Sequence, residues 1–184
     1  MAEESNIHIK IAGAEVLGLF LISLITILVG MYGFEVIDSL GVILGVAWFV
    51  GIGLFLVTIV AYLNENVLLS AALGLFAIFL LGFAAMATGG DSTSCEIYCI
   101  FVGLGVLMIG LVSFAQPVKM LPIFLIVAAL AFISLGLWFD MGEDVRILVG
   151  IFWTIVSLMA LYMATAIAFL AVKGKVVLPL LIKA

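Results

Sequence analysis

Charge is what this sequence has least of. Asp, Glu, Lys and Arg make up 9% of its 184 residues, against about 25% in an ordinary soluble domain. With 68% of residues hydrophobic, the chain is expected in a membrane. Histidine is nearly absent too: His8 stands alone, and Cys95 and Cys99 are the only cysteines. No metal-ligand cluster can be built from them, so no metal or other cofactor is expected. The 6 basic residues form no stripe, which argues against nucleic acid as a partner. There is no phosphate-binding glycine loop and no nucleophile beside a base, so enzyme chemistry is not expected. No hydrophilic stretch is long enough to fold alone, which leaves one membrane domain over residues 1–184. The opening MAEESNIHIK is acidic and the apolar run behind it is too long for a signal-peptide core, so it reads as a retained first span.

What is present is a series of long apolar runs. Six are visible, at about Ile9–Met31, Val36–Tyr62, Val67–Thr88, Ile97–Ala115, Met120–Phe139 and Val145–Val172. Each is long enough to cross a bilayer as a helix. The breaks between them (YGFE, NEN, TGGDSTSCE, QPVK, DMGED) are short, and short breaks force neighbouring helices to run antiparallel. The fold class is therefore an all-α integral membrane protein, a six-transmembrane-helix bundle. Lys10, Lys119, Lys173, Lys175 and Lys183 fall on the N-terminal side and only Arg146 on the other. That asymmetry places both termini in the cytoplasm of a multi-pass cell-membrane protein. Tyr32, Tyr62, Tyr98 and Trp138 end their segments, as an interfacial aromatic belt requires.

The acids sort oppositely. Glu35, Asp38, Asp91, Glu96, Asp140, Glu143 and Asp144 all fall on the outer side, as a solvated rim or a cation-attracting vestibule. Cys95 and Cys99 lie there too; a disulfide is one reading of the pair, and their spacing of four on a helix speaks for two separate thiols. His8, in a polar tail, reads as solvated. Small residues recur in the spans, at Gly41 and Gly45, Gly51 and Gly53, Ser70, Gly74 and Ala77, and Gly103, Gly105 and Gly110. They predict close helix contacts, within one bundle or between copies.

Ile11–Met31 contains one ionisable group, Glu15. A carboxylate at that depth needs a partner, a proton or a watery cavity. Glu15, Gly18, Ile22 and Thr26 share one helical face, which predicts a polar path past Glu15, Gly18 and Thr26. Two readings of Glu15 stay open here: a protonatable group near the inner mouth, or a first-turn acid snorkelling to the interface and pairing with Lys10. The scattered span hydroxyls are expected to bond their own helices.

The last span and tail read Ala160-Leu-Tyr162-Met-Ala164 and then Lys173-Gly174-Lys175-Val-Val177-Leu178-Pro179. This pattern resembles the acetate uptake transporter family, the succinate–acetate permeases. That family opens with Asn-Pro-Ala-Pro-Leu-Gly-Leu, and the matching place here keeps Leu17-Gly18-Leu19. Trp48-Phe49-Val50-Gly51 and Asn66 are similar as well. The resemblance implies a homo-oligomer, a hexamer, whose protomers each pass acetate-like monocarboxylates, or succinate, with proton coupling or gating. It also implies a narrow apolar constriction from the first, third and fifth helices, which by spacing becomes Ile22, Phe76 and either Leu130 or Ala131. Leu54, Ala61 and Ile167 stand where the family carries polar groups. A channel for small carboxylates is therefore the leading expectation. A pore-sealed structural subunit of the same fold, or a channel for small neutral solutes, is the alternative.

Overall fold

In the computed structural model of the chain, residues 13–89 and 92–180 are described. They form six α-helices: α1 (Ala14–Gly33), α2 (Leu40–Leu63), α3 (Val67–Gly89), α4 (Ser92–Ser113), α5 (Met120–Met141) and α6 (Arg146–Lys173), with no strand among the described residues. A short 3-10 turn, Gly142–Val145, joins the last two helices. They are separate helices. Trp153 Nε1 donates to the Ala131 carbonyl at 2.9 Å, whereas one continuous helix would hold those residues about 33 Å apart. Gly142, at φ 64° and ψ −137°, makes the reversal in a conformation open to little but glycine. By length and apolar composition α1, α2, α3 and α4 are each candidate membrane spans, and α5 and α6 together make a fifth.

Neighbours in sequence pack against each other, and α6 returns to α1 to close the ring. The tightest pairs are α1 with α6, α2 with α3, and α4 with α5. Glycine explains the approach. Gly33 sits so close to Gly150 that a methyl on it would overlap the Gly150 backbone, a methyl on Gly150 would strike the Phe34 ring, and Gly30 meets Thr154 one turn away. Gly51 lies under Leu80 and Leu81, and Gly103 and Gly136 do the same between α4 and α5. In lipid the apolar surface gives helices no drive to associate, so contact area gained by small residues is what holds them. Ser157 adds a buried hydrogen bond to the Ser23 carbonyl, 2.8 Å, across the α1–α6 seam.

The α1–α2 and α2–α3 turns use one motif at opposite ends of the bundle. Glu35 and Glu65 adopt left-handed φ values of 61° and 59°. Their N–H groups return to Tyr32 and Tyr62, and the next residues return to Met31 and Ala61. This paired capping is the Schellman arrangement, which satisfies the last carbonyls of each helix.

We call the end carrying the start of α1, the α2–α3 and α4–α5 connections and the close of α6 the terminal end, and the other the far end. Lys119, Lys173 and Lys175 lie at the terminal end and Arg146 at the far end; His8, Lys10, Asp91 and Lys183 fall outside the described residues.

Candidate functional site

Glu15 opens α1 and is half-buried. Opposite it, Asn66 begins α3. Its side-chain oxygen accepts the Leu69 N–H at 3.3 Å, an N-cap bond to the third residue of the helix. That bond fixes the amide orientation, so the Nδ2 group must face the other way, and it donates to Glu15 Oε1 at 3.3 Å. The two residues sit in a cavity of about 250 Å³ at the terminal end, shared with Gln116 and walled by Leu19, Leu121 and Met163. A carboxylate, two amides and an aliphatic wall make a vestibule that accepts a small molecule with one polar end.

Above the vestibule the bundle is solid. Along α1, Leu19 lines the vestibule and Ile25 the next void, a separation of about 9 Å. Along α6, Met163 and Trp153 play the same parts, about 15 Å apart. Between them lie Ile22, Phe76, Phe124, Ala131 and Phe132, all essentially inaccessible. The rings interlock: Phe76 on Phe132 at 5.0 Å, Phe132 on Phe79 at 4.5 Å, and Phe132 on Trp153 at 5.3 Å, each edge-to-face. Such pairs add to the stabilisation that burial alone provides. The void beyond, lined by Ile25, Val29, Phe79, Phe83 and Trp153, holds about 20 Å³, room for one water at most.

Arg146 closes the far end. Its guanidinium donates to the Tyr32 carbonyl at 3.2 and 3.3 Å, pairs with Glu143 at 3.0 Å and Glu35 at 3.7 Å, and lies 4.7 Å from the centre of the Tyr32 ring. It thus clasps the end of α1 to the start of α6. Tyr32 and Trp138 turn inward onto one another at 5.6 Å, and Tyr98 donates to the Ile78 carbonyl at 2.7 Å. Of the expected aromatic belt, Tyr62 is the member that points fully outward.

The structure brings some expected site residues together and separates others. Glu15 faces the vestibule, while its suggested partner Lys10 lies outside the described residues. Ile22, Phe76 and Ala131 are all in the buried layer, but Leu130 is 44% exposed and points away from it. Gly18 packs against Val57 and Leu73 and lines neither void. Thr26 donates to its own helix, at the Ile22 carbonyl, 2.7 Å away, and so offers no free hydroxyl to a path. Cys95 and Cys99 are both buried in α4 and are not bridged. Residues four apart on a regular helix project in parallel and cannot meet in disulfide geometry. Among the described residues no group of three His, Cys, Asp or Glu could hold a metal ion. Spacing within single helices could not reveal Phe132, Trp153, Gln116 or Leu180. The one available signal was Phe76, Phe79 and Phe83, at helical intervals on α3.

Six apolar helices close in a ring, with a polar vestibule at one end and a buried aromatic layer in the middle. A solved structure with this architecture is that of the bacterial acetate channel SatP. It superposes with a TM-score of 0.84 at 20% sequence identity, over 92% of this chain and 99% of that one. No protein-family model matches the sequence, and no curated protein matches it. The two proteins share a fold.

Proposed function

We propose that the chain is a divergent member of the acetate uptake transporter family. It conducts small monocarboxylates such as acetate, and succinate, through a separate path in each protomer of a homo-oligomer, with both termini in the cytoplasm. The observation that carries this reading is Glu15, turned into a vestibule with Asn66 rather than toward lipid. A membrane carboxylate held in such a cavity marks a solute or proton route. The fold shared with an acetate channel, the carboxylate-sized vestibule and the lysines at the terminal end all favour the same conclusion. Gly45 has open space where a side chain would stand, which leaves its face of α2 for another copy.

Proton dependence follows from charge. Two carboxylates about 4 Å apart repel by about 4 kcal/mol at a near-surface dielectric. The anion of a small acid is therefore repelled beside the Glu15 carboxylate, and the neutral acid is not. The aliphatic and aromatic barrier acts in the same sense, since a neutral acid crosses it at far lower desolvation cost than an anion. Uptake of labelled acetate into proteoliposomes tests this. Wild type should exceed empty vesicles and gain rate as pH falls, and Glu15→Gln should flatten that gain.

The solid layer between Leu19 and Trp153 favours a second reading, a pore-sealed subunit that keeps the fold for assembly. The same vesicles separate the two: a sealed subunit gives no uptake at any pH.

A further inference from the structure

The tail after α6 is a device the proposed channel does not require. Gly174, at φ 64° and ψ 9°, ends α6 in a left-handed cap with its N–H on the Leu170 carbonyl at 2.9 Å. That cap turns the chain back beneath the bundle. Residues 174–177 run exposed across the terminal end. Farther along, Tyr162 Oη donates to the Pro179 carbonyl at 3.0 Å and fastens the tail to α6. The next residue, Leu180, is 3% exposed and forms part of the vestibule wall with Glu15, Asn66, Leu121 and Ile167.

We infer that the segment Gly174–Leu180 is a plug for the vestibule, with Leu180 as its stopper and Tyr162 as its latch. Among the described residues the strap is held by one side-chain hydrogen bond, from Tyr162, and one buried aliphatic side chain, Leu180. Such segments open at low free energy while the helices stay folded. When Leu180 withdraws, the Glu15–Asn66 pair meets the solution on the terminal side. When it is seated, a solute must displace it to leave. The inference about the plug rests on the vestibule; its effect on flux rests in addition on the proposed channel activity.

Thiol labelling of the full chain in vesicles tests the plug independently of transport. Cys95 and Cys99 are buried, at 1% and 0% exposure, and give a quiet background. In Leu69→Cys, whose side chain lines the vestibule, a membrane-impermeant maleimide should react slowly. Adding Tyr162→Phe removes the latch and should speed labelling by about fivefold, the equilibrium shift expected from one lost hydrogen bond. Ending the chain at Val177 should speed it further. Leu180→Ala, which keeps the strap but shrinks the stopper, controls for misfolding of the truncated chain and should also label faster. Equal labelling rates in all four proteins overturn the plug. Faster labelling with acetate flux unchanged, in a protein that conducts, overturns its role as a gate. Faster labelling with no flux from any variant supports the plug and retires the channel reading instead.

Discussion

The two ends of the bundle are built on the same helices and are opposite in character. At the terminal end Glu15, Asn66 and Gln116 line a cavity of about 250 Å³, with Leu180 of the tail in its wall and Tyr162 bonded to the neighbouring Pro179 carbonyl. At the far end an aromatic column encloses about 20 Å³, and Arg146 ties the helices with contacts to Tyr32, Glu143 and Glu35. One end is polar and roomy; the other is apolar, narrow and fastened by Arg146. In the proposed channel the recognition chemistry would lie at the terminal end and the resistance in the aromatic layer. Mutations at the two ends should then separate binding from passage.

The largest effect should come where both ends depend on one seam. Gly33→Leu drives a side chain into the Gly150 backbone. It should cost more than about 4 kcal/mol, the exceptional class of single substitutions, and should appear as loss of monodisperse protein in detergent. Phe132→Ala strikes the barrier alone. Removing a ring that touches Phe76, Phe79 and Trp153 should cost about 3–5 kcal/mol in thermal unfolding and raise solute leak across vesicles. Asn66→Ala acts at the vestibule. It loses the α3 cap and the Glu15 partner, and should destabilise by about 1 kcal/mol while slowing acetate uptake. Ser157→Ala, at the buried α1–α6 bond, should cost about 0.6 kcal/mol, the usual size of such bonds in membranes, and leave uptake unchanged. Glu15→Gln should move stability by less than about 0.5 kcal/mol and still weaken the rise of uptake with falling pH, leaving the part the apolar barrier imposes. If Phe132→Ala and Glu15→Gln change the same property, the division between the two ends fails.

The sequence and the structure agree most where bulk hydropathy decides. Apolar runs bounded by short polar breaks fall on all six helices; the ends differ by up to five residues, at the starts of α1 (Ala14 against Ile9) and α4 (Ser92 against Ile97). The inward direction of Glu15 was readable as one of two options because a buried carboxylate is costly. Where a side chain points depends on neighbours that single-helix periodicity does not contain. The moments of these helices are weak because lipid and core are both apolar, so Leu130 and Ala131 looked equally suited to the constriction. The bundle decided between them, since α5 packs against both α4 and α6. Thr26 misled for a different reason: a threonine in a span can satisfy its hydroxyl on the preceding turn, and this one does. Contacts between distant segments, Trp153 with Ala131 and Tyr162 with Pro179, carry no local signature at all.

The central claim is that vestibule and aromatic layer lie in series on one conducting path. It is tested most directly by labelled-acetate uptake into vesicles holding wild type or Phe76→Ala, measured side by side at acidic pH. The account predicts uptake above empty vesicles for wild type and a faster rate for Phe76→Ala, whose ring stands in the layer. Vesicles that stay at the empty-vesicle level with both proteins would contradict it.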